Sequence, residues 1–377
     1  MSRPTTEAVR AALTKVNDPE IRRPITELDM VRSVEIGDDG HVVVGIDLTT
    51  AGCPLRDTIT RDVQRAVGEV EGVTGVDVAM GVMSEEQRAE LRTKLRGGTP
   101  EPVIPFAQPG NLTRVYAITS GKGGVGKSSV TANLAAALAA KGFKVGVVDA
   151  DIYGFSIPRM LGVEHPPTKL DDMIVPPVAH DVKVISIGMF APPGTPVVWR
   201  GPMLHRALQQ FFADVFWGDL DVLLLDLPPG TGDIAISVAQ FIPSSEIIIV
   251  TTPQVAAAEV AQRAGVLSAQ TRQHVVGVIE NMSWMELPDG SRLDLFGSGG
   301  GDAVAGELTS SLGYPVPVLA HVPIDVQLRE GADGGRPVVL EQPDSPAAQA
   351  LLGVADQLAA RTRGLAGRAL GVTPISR

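Results

Sequence analysis

From about residue 114 onward, short apolar runs alternate with stretches of helical periodicity. The apolar runs are RVYAITS, KVGVVDA, KVISIGMF, DVLLLDLPP, EIIIVTTP, HVVGVIENMS and PVLAHVP. Continuous apolar strands separated by helices are typical of a mostly parallel sheet covered by helices on both faces. The pattern therefore predicts an α/β domain over residues 114–365, in which ligands bind beyond the carboxyl ends of the strands.

The preceding residues, 5–92, show a mixed pattern. Helical periodicity in TEAVRAALTKV and LRDTITRDVQRAVGEV flanks RSVEIGDDGHVVVGIDLTT, which is typical of a hairpin turning at residues 37–40, and GVTGVDVAM follows as a third strand. This pattern predicts a small α+β domain. Residues 93–113 carry four prolines and three glycines without any period, so we expect a linker there.

A glycine-rich loop follows the first apolar strand of the larger domain. The sequence GKGGVGKS, residues 121–128, fits the pattern Gly-x-x-x-x-Gly-Lys-Ser and opens the helical stretch KSSVTANLAAALAAKG. Such a loop turns backbone N–H groups toward phosphate oxygens, while its lysine neutralises charge and its serine ligates Mg²⁺. The motif predicts a P-loop NTPase that binds ATP and Mg²⁺. The residues expected to line the nucleotide are Gly121, Lys122, Gly123, Gly124, Val125, Gly126, Lys127, Ser128 and Ser129.

Carboxylates stand where two of the predicted buried strands end. DVLLLDLPPGTGD ends its apolar run at Asp226, and VVDADIYG carries Asp149 and Asp151. Asp226 is a candidate to hold Mg²⁺ together with Ser128, and Asp151 can face the γ-phosphate and orient water. The alternative is that these carboxylates are solvated caps of the strand ends.

Several motifs carry a family resemblance. The extra lysine in KGGVGKS resembles the deviant Walker A loop of the MinD/ParA/nitrogenase-reductase class. Within that class, VVDADIYGFSIPRMLG, WRGPML, DVLLLDLPPGTGD, ENMSW and FGSGGG resemble the Mrp/ApbC family of ATPases, implicated in iron–sulfur cluster assembly. The likeness departs at Phe155, where the family usually has proline. Over roughly residues 5–85, ITELDMV…LTTAGCP resembles a small domain associated with iron–sulfur assembly systems.

The resemblance implies a role for each site residue. Lys122 would reach across a homodimer to the partner's nucleotide, and Lys127 would bind the phosphates of its own chain. Asp151 would position the attacking water, and Asp149 and Asp226 would hold Mg²⁺ through its water shell. The catalytic residues implied are thus Lys122, Lys127 and Asp151. Asn281 would contact adenine, unless it is only a turn residue at a strand end, and Lys122 has the alternative of a plain exposed loop lysine.

The cysteine content sets this chain apart from many members of that family. They carry a Cys-x-x-Cys after the ENMS stretch, which lets two chains hold one [4Fe–4S] cluster. Here Leu287 and Gly290 occupy those positions, and Cys53 is the only cysteine. Cys53 precedes Pro54 at a predicted helix start, where a thiolate is stabilised, so it is a candidate iron ligand. The alternative is a small buried residue, and an iron–sulfur cofactor lacks the support of paired cysteines.

Charge, hydropathy and histidine spacing exclude several classes of partner and site. The chain has 43 acidic and 32 basic residues and a net charge of −11, which disfavours nucleic acid and anionic membranes. Neither a signal-peptide core nor an apolar run near about 18 residues occurs, so we expect a cytoplasmic protein. The six histidines lack metal-ligand spacing.

These observations lead to one main functional prediction. We expect an ATP-hydrolysing homodimer that acts in iron–sulfur cluster assembly or in transfer to apoproteins, with assembly or recipient proteins as partners. Because the paired cysteines are replaced, the alternative is a metal-free regulatory or positioning ATPase that acts on a protein partner.

Overall fold

The computed structural model describes residues 3–50, 54–97, 103–151, 156–190, 201–230, 233–254, 263, 266 and 268–361. The small domain consists of α1 (Thr6–Leu13), β1 (Val31–Ile36), β2 (His41–Leu48), α2 (Arg56–Gly68), β3 (Gly75–Val82) and α3 (Glu85–Leu95). β1 and β2 form the predicted antiparallel hairpin, and β3 lies parallel to β2. Apolar side chains of β2 and α2, among them Val44, Ile46 and Val63, form the buried core of this domain.

The large domain alternates strands and helices, as the apolar runs predict. Its first half contains β4 (Arg114–Thr119), α4 (Lys127–Ala140), β5 (Val145–Asp149), α5 (Ile157–Met160), β6 (Thr168–Leu170), β7 (Met173–Val175), β8 (Val178–Ala179) and β9 (Val182–Ser186). Its second half contains α6 (Gly201–Ala213), β10 (Val222–Asp226), α7 (Asp233–Phe241), β11 (Glu246–Thr251), β12 (Val275–Glu286), β13 (Arg292–Leu293), α8 (Gly300–Leu312), β14 (Val318–Ile324), α9 (Val326–Gly334), α10 (Val338–Glu341) and α11 (Pro346–Ala360).

The central sheet has the strand order β13-β12-β11-β4-β10-β5-β9-β8, and β14 pairs with β12. The inner strands run parallel, and only β13 and β8 pair antiparallel. Successive residues of β10 point to opposite faces: Leu223 and Leu225 pack with α6, α7 and α8, whereas Leu224 packs with α4 and α11. The predicted mostly parallel sheet with helices on both faces is confirmed.

The two domains contact each other through the hairpin of β6 and β7. Leu170, Met173 and Val175 of this hairpin belong to the buried core of the small domain. Arg92 on α3 lies 3.0 Å from carboxylate oxygens of both Asp171 and Asp172 at the hairpin turn. Apolar burial and charge pairing together seat the small domain on this hairpin.

The segment predicted as a linker, 93–113, contains ordered structure. Its first residues are the last turn of α3, and a 3₁₀ turn covers Pro105–Ala107. Phe106 in that turn is buried in the core of the large domain, with its ring 6.3 Å from that of Trp217. Among the helices that the structure describes, none is long and apolar enough to cross a bilayer.

Candidate active site

The glycine-rich loop lies where the sequence predicts, between the end of β4 and the start of α4. Gly124 and Gly126 have φ angles of 78° and 80°, a backbone conformation that favours glycine. Gly126 is the residue that precedes α4, and no side chain caps the helix there. The first N–H groups of α4 are therefore available to an anion, and the helix dipole adds positive potential.

Lys127, the first residue of α4, is buried among carboxylates. Its Nζ lies 2.8 Å from Asp226 Oδ1 and 3.6 Å from Asp151 Oδ2, and the lysine is only 6% exposed. This ion pair with Asp226 does not meet hydrogen-bond geometry, so the buried ammonium has no hydrogen-bond partner among the described residues. Phosphate oxygens would supply such acceptors.

Asp226 is the centre of a hydrogen-bond network. Ser128 Oγ donates to Asp226 Oδ2 at 2.6 Å, and Thr131 Oγ1 donates to Asp226 Oδ1 at 2.9 Å. The Lys127 carbonyl also lies 2.9 Å from Thr131 Oγ1, so the single hydroxyl proton is shared between this carbonyl and Asp226. Thr131 was not predicted as a site residue, although its place three residues after Ser128 puts both hydroxyls on one face of α4. The serine and aspartate predicted as a Mg²⁺ pair are thus brought together.

Asp149 lies beside Asp226, because the two residues are in register on the adjacent parallel strands β5 and β10. Both carboxylates are fully buried. Ser186 Oγ donates to Asp149 at 3.0 Å, and the Asp151 amide donates at 3.2 Å. Burial, and next the charge of Asp226, raise the pKa of Asp149 to about 8.

The residues present fit a divalent cation. Two buried carboxylates repel each other, and a cation between them would relieve that repulsion. Mg²⁺ binds through one or two carboxylates and completes its shell with substrate phosphates and water. Ser128, Asp149 and Asp226 supply such a partial set, and the described part of the chain has no group of three or more His, Cys, Asp and Glu arranged to hold a metal alone.

Lys122 is held within its own chain. Its Nζ donates to Oε1 of Gln254, beyond the end of β11, and its carbonyl accepts from Ser120 Oγ at 2.9 Å. Arg263 donates to the neighbouring carbonyl of Gly121 at 2.9 Å. Gln254 and Arg263 were not predicted, since no sequence pattern links them to a loop that lies more than a hundred residues earlier.

Asn281 supports the loop from β12. Its Nδ2 donates to the carbonyl of Val125 at 2.9 Å, and the side chain is buried. A Cβ at Gly126 would lie 2.2 Å from this nitrogen, so glycine is required for the close approach. The predicted contact between Asn281 and adenine stays a prediction, and the amide already fixes the shape of the loop.

The positions that correspond to the family's paired cysteines lie in the turn between β12 and β13. The Gly290 amide donates to the Leu287 carbonyl at 2.9 Å, and Gly290 has a φ of 81°. Arg292 stacks over the ring of Trp284 at 4.1 Å on the same hairpin. Cys53, the candidate iron ligand, lies outside the described residues.

Known proteins resemble the chain along nearly its whole length. A family model described as NUBPL iron-transfer P-loop NTPase matches residues 111–359, and one described as iron-sulfur cluster assembly protein matches residues 6–78. An iron-sulfur cluster carrier protein of Mycobacterium tuberculosis is 61% identical over 98% of this chain and 97% of its own. An iron-sulfur cluster carrier protein of Synechocystis is 40% identical over 95% of this chain and 98% of its own. A solved nucleotide-binding protein of Archaeoglobus fulgidus, in complex with ADP, is 37% identical with a TM-score of 0.52 over 61% of this chain and 89% of its own.

Proposed function

This chain belongs to the family of NUBPL iron-transfer P-loop NTPases, and from that premise we propose that it is an ATP-hydrolysing homodimer acting in iron–sulfur cluster assembly or transfer to apoproteins. The names of its relatives support the choice of cargo. The observation that carries the ATPase proposal is the meeting of Lys127, Ser128 and Asp226 at the glycine-rich loop.

Nucleotide binding follows from the loop. Backbone N–H groups at the start of α4 bind phosphate oxygens, and Lys127 exchanges its poorly aligned contact with Asp226 for the phosphates. Ser128 and Asp226 would hold Mg²⁺, with Asp149 acting through its water shell. When bound, the cation neutralises charge on the β- and γ-phosphates.

In ATP hydrolysis, Asp151 has a role separate from nucleotide binding. Its carboxylate lies 3.6 Å from Lys127 Nζ, which puts it beside the position where a phosphate bound by Lys127 would lie. Asp151 orients a water whose oxygen attacks the γ-phosphorus while the bond to the β–γ bridging oxygen breaks. The products are ADP, inorganic phosphate and a proton.

The ATPase proposal is tested with Lys127→Ala and Asp151→Asn. We expect Lys127→Ala to lose nucleotide binding, and Asp151→Asn to keep binding but lose most of its turnover, measured by fluorescent-ADP titration and by phosphate release. Lys141→Ala at the other end of α4 is the matched control. Unchanged Mg²⁺-dependent turnover in Lys127→Ala would rule the proposed site out.

The dimer proposal concerns Lys122. To reach a partner's nucleotide, the Lys122 ammonium must break its hydrogen bond to Gln254. A contact with the partner's ATP would replace that bond, so we expect the dimer to form only when ATP is bound. We expect Lys122→Ala to weaken ATP-dependent dimerisation in analytical ultracentrifugation and to slow turnover, while ADP binding stays normal. Wild-type dimerisation and turnover in that variant would contradict a role across the dimer.

The cargo proposal is tested by anaerobic reconstitution with iron and sulfide, followed by visible absorption, iron counting and transfer to an apo-ferredoxin. A cytoplasmic location is proposed with it, since this chemistry needs a reducing compartment. Because Cys53 is the only thiol, Cys53→Ala shows whether this chain itself ligates iron. If the wild type neither holds a cluster nor promotes ATP-dependent transfer, the metal-free regulatory ATPase becomes the better description.

A further inference from the structure

A cavity of about 410 Å³ lies between the small domain and the large domain. Its walls include Arg22 of the small domain, Lys94 of α3, and Lys144, Val145 and Leu220 of the large domain. Val145 and Leu220 stand at or just before the amino ends of β5 and β10. The cavity is therefore at the opposite edge of the sheet from Asp149 and Asp226, which end the same two strands.

Positive charge is concentrated around this cavity. Five cationic side chains line it: Arg22, Arg23, Lys94, Lys144 and Lys183. The carboxylates in its lining are those of two exposed residues, Asp181 and Asp219. In a chain whose net charge is −11, this local excess of cations runs against the average surface.

Lys183 forms the buried base of the cluster. It is 7% exposed, and its Nζ donates to the carbonyls of Phe216 and Trp217, both at 3.1 Å. Two of its three N–H groups are used in this way. Gly218 lies next to this ammonium group, because a Cβ added at Gly218 would be 3.7 Å from Lys183 Nζ. Burial, and next the charge of Arg22, lower the pKa of Lys183 to about 8, whereas the nearby carboxyl groups of Asp18, Glu20 and Asp219 act to raise it.

The other cations differ in how firmly they are paired. Arg22 lies 2.7 Å from Asp181, and Lys94 lies 2.9 Å from Asp29. Arg23 has only a 3.7 Å contact with Glu27, and Lys144 has no ion pair with any residue in the described ranges. Arg23 and Lys144 come from different domains and are exposed, so they are the cations most able to turn to a ligand.

We propose that this cavity binds a small polyanion that carries at least two carboxylate or phosphate groups and bridges the two domains. The volume is in the range of small-molecule sites, and apolar residues such as Leu95, Val145 and Phe216 are among the lining residues beside the cations. Carboxylates and phosphates are the partners that clustered arginine and lysine side chains bind with charge-assisted hydrogen bonds.

The test uses the full chain and two probes, citrate and inorganic pyrophosphate, titrated by calorimetry in excess ADP without Mg²⁺, because both probes chelate that ion. The cavity variant is Arg23→Gln with Lys144→Gln. The matched control is Arg61→Gln with Arg65→Gln, which removes the same charge from exposed positions on α2. A charge-retaining variant, Arg23→Lys with Lys144→Arg, checks that the loss follows charge. Circular dichroism verifies that all variants fold.

We expect the wild type, the control and the charge-retaining variant to bind at least one probe, and the cavity variant to bind it at least about tenfold more weakly. Citrate binding alone would identify a polycarboxylate ligand, and pyrophosphate binding alone a phosphate ligand. Equal affinity in the cavity variant and the control would overturn the proposal, as would no binding of either probe by the wild type. Every variant keeps the glycine-rich loop, so any probe binding there is equal in all of them; it is identified by its loss in Lys127→Ala and subtracted before the comparison.

Discussion

Glu20 is buried where the two domains meet, and its replacement by glutamine should change the pH dependence of stability. The residue is 6% exposed, and its Oε1 has no hydrogen-bond partner among the described residues. His165 Nδ1 stands 3.8 Å away, beyond hydrogen-bond reach. Burial, and next the charge of Asp18, raise the pKa of Glu20 from 4.5 to about 8.

The sign of the effect follows from linkage between protonation and folding. A carboxyl whose pKa is raised by folding binds its proton more tightly in the folded chain. Its contribution to stability is therefore complete below the unfolded pKa of 4.5 and disappears as the pH rises through about 8. At 1.36 kcal/mol for each unit of pKa, the loss between pH 5 and pH 8 is about 3 kcal/mol. Glu20→Gln, which cannot ionise, should lack this loss.

The assay is urea unfolding of wild type and Glu20→Gln at half-unit steps from pH 5 to pH 8, followed by circular dichroism. The free energy of unfolding of Glu20→Gln, relative to wild type, should increase by about 3 kcal/mol across that range. Glu7→Gln, an exposed acid on α1, is the matched control and should give a constant difference. A constant difference for Glu20→Gln as well would refute the argument that Glu20 is kept protonated.

Three further sets of substitutions test other contacts. Asn281→Ala removes the hydrogen bond to Val125 and should weaken ADP binding about fivefold by titration; unchanged affinity would show that the loop keeps its shape without it. Gly146→Ala places a Cβ 2.7 Å from Leu220, so the free energy of unfolding should fall by about 1–3 kcal/mol, whereas Gly353→Ala, which meets no atom within 4 Å, should not be destabilising. Replacing both Asp171 and Asp172 by asparagine should destabilise the chain by about 1 kcal/mol at low salt and less in 1 M NaCl, and an equal effect at both salt concentrations would contradict an ion-pair origin.

Local pattern was enough to predict much of the large domain. The apolar runs predict its central strands, and because ligands bind beyond the carboxyl ends of parallel strands, the sequence alone predicts that Asp226 and Ser128 share one site. The family resemblance seen in the loop and strand motifs is confirmed. The roles assigned to Lys122, Asp151 and Asn281 remain predictions.

Contacts between distant segments could not be predicted in this way. Lys122 meets Gln254, and Asn281 meets Val125, across 132 and 156 positions of the chain. The hairpin that carries the small domain consists of two three-residue strands, too short to show a period. Nothing in the sequence distinguishes Arg92 and Asp171 from other charged surface residues. Their ion pair is visible only in the folded structure.

The β6–β7 hairpin of the large domain is buried in the core of the small domain, and this affects how a fragment of the chain would behave. A fragment that begins after residue 113 would retain Leu170, Met173 and Val175 but lose the small-domain side chains that cover them. Three large apolar side chains on one hairpin would then face water, which favours association between fragments. The large domain alone should thus be less soluble and more prone to aggregate than the full chain, and its nucleotide binding should be measured with the small domain attached.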